Sequence, residues 1–233
     1  MRPIRFEQGK TSPRGSGPLL DMTNIIKRLF SQSLPVEQMT PNFQAAFSAT
    51  MQAEGFMDLE TVPGDAGGET FSGISRVNNP AWHGWVIIDA NRNAPNFPAC
   101  LKTMDDLRAS VSSFFQETYW MPNRCGEMGD HLVAAEVFDQ AVNSGSSFAA
   151  GNLQRALNVS WPQGQYFPPV QVDGQIGDQT IGALRAALNH ESAQELSNCL
   201  NAFQAKHYIE LAEAGAERFL RGWMRRVRIV KLS

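Results

Sequence analysis

Apolar residues recur at helical spacing over several stretches of the chain. Phe43, Ala46, Phe47, Thr50 and Met51 follow the i, i+3, i+4, i+7, i+8 series of one helix face. Thr40-Pro41 ahead of them supplies a good N-cap, then the residue best tolerated at the first helical position. The next member of the series is Glu54, and Gly55 is placed to stop the helix. The pattern therefore aims a carboxylate along the face that points at the core. A second stripe (Leu107, Val111, Phe114, Phe115, Tyr119) predicts a helix over 103–120, with Thr103 and Asp106 spaced as a capping box. A third helix is expected from Asp130 to Asn143, stopping at Gly145, and a fourth starts at Ser146 and carries Leu153 and Leu157. Asp178 is placed to cap a helix over 179–189, and a long helix from about 191 closes the chain.

Turn formers separate these stretches. Residues 57–100 hold Pro63-Gly64-Asp65, Gly67-Gly68, Asn78-Asn79-Pro80 and Asn93-Ala94-Pro95, with room for a short β-hairpin around Gly67–Ile74. Residues 159–177 read as a Pro/Gly loop. Residues 1–38, with the turn-rich run Thr11–Pro18 and a short amphipathic piece over Asp21–Phe30, read as a leader or docking arm. The expected fold class is mainly α, with a small β element.

Composition narrows the classes. Of 233 residues, 42% are hydrophobic and 18% charged, which supports a packed core and excludes a disordered chain. Twenty basic against 23 acidic side chains give a net charge of -3, so nucleic acid is not an expected partner. The basic residues do gather at the end, where Arg218, Arg221, Arg225, Arg226, Arg228 and Lys231 stand against Glu217. That run fits either a face for anionic wall polymer, anionic lipid or an acidic partner, or a solvated helix end. Cys100, Cys125 and Cys199 are odd in number and form no C-x-x-C pair, which reads as small buried hydrophobes in a reducing compartment. The four histidines lie far apart, so no metal site is indicated and no cofactor is implied. No run approaches the ~18 apolar residues of a membrane span. The N-terminus lacks the apolar core of a secretory signal, so the expectation is synthesis in a cytoplasm and release by another route.

The chemically suggestive run is Glu54 to Ile74. It places a glutamate at a helix end, then Asp65 and Thr70 within sixteen residues on a Gly-rich loop or hairpin. Glycosidic cleavage needs one carboxylic acid to protonate the leaving oxygen and a second group to activate or position water. A glutamate on an apolar helix face is desolvated and held protonated, whereas an aspartate on an open loop stays ionised. The spacing alone fits a capped helix followed by a hairpin equally well.

The motifs carry more. Glu54-Gly55, Asp65-Ala-Gly67-Gly68-Glu-Thr70 and Gly73-Ile74 resemble the E-G-G, D-x-G-G-x-T and G-I signature of glycoside hydrolase family 108, N-acetylmuramidases of the lysozyme-like superfamily. Val137-Phe-Asp-Gln-Ala-Val-Asn143-Ser-Gly145 is similar to that family's F-D-x-x-V-N-x-G helix. Leu153–Leu157, Asp173–Thr180 and Phe219–Arg226 resemble its C-terminal predicted peptidoglycan-binding region. Phe56 stands where the family has its second glycine, and Val77–Leu101 is longer than the family pattern.

The resemblance implies a lysozyme-like α+β region over 39–145, with a helical peptidoglycan-binding region over 146–233 packed on it. It implies hydrolysis of the β-1,4 bond between N-acetylmuramic acid and N-acetylglucosamine in bacterial peptidoglycan. Glu54 would be the acid, with Asp65 and Thr70 orienting water. An endolysin or a secreted antibacterial effector fits, the latter with an immunity protein or secretion-machine component as partner. A lytic transglycosylase using Glu54 alone, or a non-catalytic wall-binding module, are the rival readings. Around this core, Glu69 is an alternative second carboxylate or a solvated residue, and Trp82 and Trp85 are sugar platforms or core. Asp139 and Asn143, at i, i+4, brace the site or form a polar seam. Asn143 is also a candidate contact for a glycan N-acetyl group, or simply part of a helix stop.

Overall fold

The computed structural model describes residues 41–54, 57–61, 68–160, 165–190 and 192–230; the arm at 1–38 lies outside them. Met39–Ser233 forms one compact unit. Its helices are α1 (Pro41–Glu54), α2 (Gly84–Ala90), α3 (Asp105–Phe115), α4 (His131–Ser144), α5 (Ser146–Ser160), α6 (Asp178–Leu188), α7 (Ala193–Leu211) and α8 (Glu217–Trp223). Three short strands, β1 (Leu59–Thr61), β2 (Glu69–Phe71) and β3 (Ile74–Ser75), form an antiparallel sheet in the order β1-β2-β3. The architecture is thus mainly helical with a small β element, as the periodicity predicts and as a lysozyme-like α+β fold requires.

The apolar stripe of α1 is buried throughout, Thr50 included. Phe43 sets its ring edge-on to Trp120 and Phe138, at centroid distances of 5.4 and 5.8 Å, which seats α1 against α4. Helices α4, α5 and α7 pack on one another around Val137, Ala141, Leu153, Leu157, Leu196 and Leu200. Asp130 caps α4 by accepting from the Leu132 and Val133 amides, and Gly145 ends it at φ 91°. Ser192 and Glu195 form a capping box on α7.

Three local expectations are corrected. The Thr103–Asp106 box does not form: Met104 occupies the N-cap of α3, and Asp106 accepts from the next amide, Leu107. Asp178 does not cap α6; Gly177 holds that position, and the Asp178 carboxylate pairs with Arg124 at 2.7 Å. The long closing helix is interrupted over Ala212–Ala216, where Gly215 adopts φ 108°, and α8 continues as a separate short helix.

Four residues separate the end of α1 from the start of the sheet. Met57, at φ 66°, buries its side chain and donates its N–H to Ser72 Oγ at 2.8 Å. Ser72 and Gly73 form the two-residue turn between β2 and β3, at φ 49° and 80°. Positive φ at both positions is what a tight type I′ hairpin needs. Phe71 and Ile74, paired across this turn, are buried.

Residues 77–101 supply a second support. Trp82 stacks on Phe71 and meets Trp85 edge-on at 5.1 Å, while its Nε1 donates to the Ser110 carbonyl. A Cβ on Gly84 would fall 2.2 Å from the Trp82 ring, so the start of α2 has no space for any side chain. Cys100, Cys125 and Cys199 all carry thiols; Cys125 is buried, and burial holds its thiol far above the usual range. No helix among the described residues is long and apolar enough to cross a membrane.

Gly84→Ala is expected to displace Trp82 and destabilise the protein by about 1–3 kcal/mol, the usual cost of overpacking. A scanning-calorimetry Tm lower by at least several degrees checks this; an unchanged Tm would show that the ring moves aside freely.

Candidate active site

Glu54 is the last residue of α1, so the sequence-predicted acid stands where the helix gives way to β1. Its side chain, and Asp65 altogether, lie outside the described residues. Thr70 sits half-buried at the centre of β2, with Glu60 directly across on β1 and Ser75 across on β3. Alternation along a strand puts Glu60, Thr70 and Ser75 on one sheet face, opposite to Phe71 and Ile74. That face is polar, and its β1 strand leads directly from the end of α1. Glu60 was not singled out from the sequence; only strand register places it beside Thr70.

Glu69 points to the other face and is not merely solvated. Its carboxylate pairs with Arg76 at 2.7 Å and Arg92 at 2.6 Å. Asp89 completes a square with the same two arginines, Arg92 Nε donating at 2.9 Å. Arg92 is the chief cause that holds the Glu69 carboxyl below its ordinary range; Arg76 holds Asp89 down at about 2. Glu69 is therefore an ionised brace between β2 and the end of α2. Arg76 also lies 4.9 Å from the centre of the Trp85 ring.

Trp82 is 9% exposed, stacked on Phe71 and in T-shaped contact with Trp85 and Phe114. Among the described residues it is a core side chain that seats the hairpin. Trp85 is likewise buried. The Asp173-Gly174 turn stays at the surface but is anchored from below: buried Gln154 accepts from both amides and donates to the Asp173 carboxylate at 2.7 Å.

Asn143 turns back along α4. Its Nδ2 donates to the Asp139 carbonyl at 2.7 Å and the Asp139 carboxylate at 3.1 Å. Thr50 donates its hydroxyl to the same carboxylate at 3.2 Å, which joins α1 to α4. One turn earlier, Glu136 accepts from Gln140, a fully buried residue that also binds the Leu200 carbonyl and accepts from Asn152. Burial raises both acids, and Glu136 is pushed up to about 7. The seam expected at Asp139 and Asn143 is thus larger than expected, because Glu136 and Gln140 belong to it. An acid three residues before Asp139 was the available signal.

Among the described residues, no three of His, Cys, Asp and Glu gather as a metal site would need. Glu136 carries a pH prediction. Its folded-state pKa is raised, so it stabilises the fold below the ordinary glutamate range, and this contribution is lost as pH rises through about 7. Glu136→Gln is expected to match the wild-type Tm near pH 5 and to exceed it near pH 8, flattening the pH dependence. Parallel Tm curves for the two proteins would refute the assignment.

Residues 47–145 match the glycosyl hydrolase 108 family, and residues 149–228 match the predicted peptidoglycan domain. No curated protein matches the chain. Ten solved chains are similar. One, the structure of Brucella abortus SagA, shares 22% sequence identity, covers 82% of this chain and 97% of that chain, and superposes with a TM-score of 0.48. Glu54, Thr70, Asp139 and Asn143 fall within the first matched region, and Gln154 and Arg226 within the second. The protein is a peptidoglycan hydrolase of the glycoside hydrolase class, with a glycosyl hydrolase 108 domain at residues 47–145 followed by a predicted peptidoglycan domain at 149–228.

Proposed function

We propose that the protein is an N-acetylmuramidase that hydrolyses the β-1,4 bond between N-acetylmuramic acid and N-acetylglucosamine. Glu54 gives its proton to the glycosidic oxygen as the bond to the muramic acid C1 breaks. Water, positioned by Thr70 and relieved of a proton by Asp65, adds to the oxocarbenium-like C1. The observation that carries the reading is the match of residues 47–145 to glycosyl hydrolase 108, with Glu54 closing a helix that feeds a polar sheet face bearing Thr70. Glu60 lies on that face and is the alternative second carboxylate.

In this reading residues 39–145 form the catalytic region and residues 146–233 hold the wall. The protein acts as a cell-wall lytic enzyme, a phage endolysin released by a holin or an antibacterial effector delivered by a secretion machine. As an effector it would be neutralised in its producer by an immunity protein that covers the cleft.

Mass spectrometry of soluble products from purified peptidoglycan tests the chemistry. Wild type is expected to release fragments with reducing-end muramic acid, and Glu54→Gln to lose at least ~10²-fold of that activity, the usual scale of a general acid. Anhydro-muramic acid products, lighter by one water, would instead identify a lytic transglycosylase. No products from either protein would leave a wall-binding module.

Thr70→Val, which keeps shape and strand preference, is expected to lower kcat about ten- to a hundredfold with KM little changed, as for a group acting only on the transition state. Equal kcat in the variant would remove Thr70 from the mechanism.

A further inference from the structure

The basic C-terminal run does not all project into solvent. Beyond α8 the chain folds back along α7. Asn198 holds Val230 through two hydrogen bonds, at 2.7 and 2.9 Å, and buried Asn201 accepts the Arg228 amide. This return brings Arg226 into the seam between α1, α4 and α7. Its Nη1 lies 3.9 Å from Asp139 Oδ1, with the two side chains 15% and 21% exposed. The same carboxylate oxygen accepts from Thr50. Thr50 stands one turn before Glu54 in α1.

We propose that Arg226, a residue of the predicted peptidoglycan domain, is a positioning residue for the glycosidase site. It holds the Asp139 carboxylate as the acceptor for Thr50 and so fixes the last turn of the helix that ends at Glu54. This rests on the reading of Glu54 as the acid.

The argument is one of charge and reach. Asp139 is faced by Glu136 and Asn143 on its own helix, by Thr50 on α1, by Gln204 and Tyr208 on α7, and by Arg226 and Arg228 on the returning tail. Burial and the neighbouring Glu136 favour the neutral acid; the hydrogen bonds from Gln204, Thr50 and Asn143, the charge of Arg228 and the Arg226 cation 3.9 Å away favour the carboxylate. A neutral acid would accept the Thr50 hydroxyl more weakly, since bonds to an ionised acceptor are roughly twice as strong. A small loss of position at a catalytic group can cost up to about a hundredfold in rate. The two matched domains would then share one working unit, the second contributing to kcat as well as to retention on the wall.

The test uses full-length Arg226→Gln, Arg226→Lys, Thr50→Val and the Arg226→Gln/Thr50→Val double variant, with Glu54→Gln alongside. Turnover is read as soluble muropeptides from purified peptidoglycan, and wall retention by co-sedimentation. The two single variants Arg226→Gln and Thr50→Val are each expected to lose about tenfold in kcat, with KM and co-sedimentation unchanged. The double variant should lose no more than either single, because both act through one carboxylate. Arg226→Lys should recover most of the loss. Removing the cation raises the pKa of Asp139, so the acid limb of the kcat profile should move to higher pH in Arg226→Gln.

Wild-type kcat in a folded Arg226→Gln, a loss confined to KM, or multiplied losses in the double variant would each overturn the proposal. Should Arg226→Gln fail to fold, Thr50→Val at wild-type kcat overturns it on its own. Full activity in Glu54→Gln would instead overturn the underlying reading. An inactive Glu54→Gln beside fully active Arg226→Gln and Thr50→Val would sink only the positioning role.

Discussion

The connection between α1 and β1 has very little chain to work with, and the rest of the site inherits that limit. Met57 meets it with a left-handed backbone and a buried side chain, and its amide is satisfied only because Ser72 Oγ lies 2.8 Å away. A buried donor left without that partner would cost about 1–3 kcal/mol. Ser72 in turn holds a positive φ and donates its own amide to the Asp58 carbonyl at 3.0 Å. The helix exit and the hairpin turn therefore fix each other. The position of Thr70 relative to the end of α1 follows from this mutual constraint.

Two further devices hold the hairpin from behind, and they differ in kind. The Trp82 ring fills the space above Phe71 that Gly84 leaves open, a contact of shape. The square of Glu69, Asp89, Arg76 and Arg92 is a contact of charge, half in water and so open to screening by salt. On the other side of α1 lies the Asp139 seam. It is buried more deeply, and each of its polar groups depends on the placement of several others.

What could be read from sequence was what repeats locally. The α1 stripe, the Gly145 stop and the hairpin near Gly73 each depend on residues within about two turns of one another. Failures came where distant groups competed. Asp178 resembles a cap, but Arg124, fifty-four positions away, takes its carboxylate. The closing helix, predicted as continuous, breaks at Gly215, whose backbone leaves the helical region. Trp82 was ambiguous by nature, since an aromatic ring suits a core and a sugar platform equally. At the candidate site Thr70 was legible through its motif, whereas Glu60 needed strand register and Arg226 needed the fold of the tail. Glu69 was noticed as a carboxylate, but the arginines that hold it ionised were not.

The three thiols carry one more consequence. Cys100, Cys125 and Cys199 are joined by no disulfide, and the core closes by packing and buried hydrogen bonds alone. Cys125 is held as the protonated thiol by burial, and a protonated thiol is a poor nucleophile for disulfide exchange. The described fold therefore takes none of its stability from a disulfide between these thiols, so a reductant has no bridge of theirs to open.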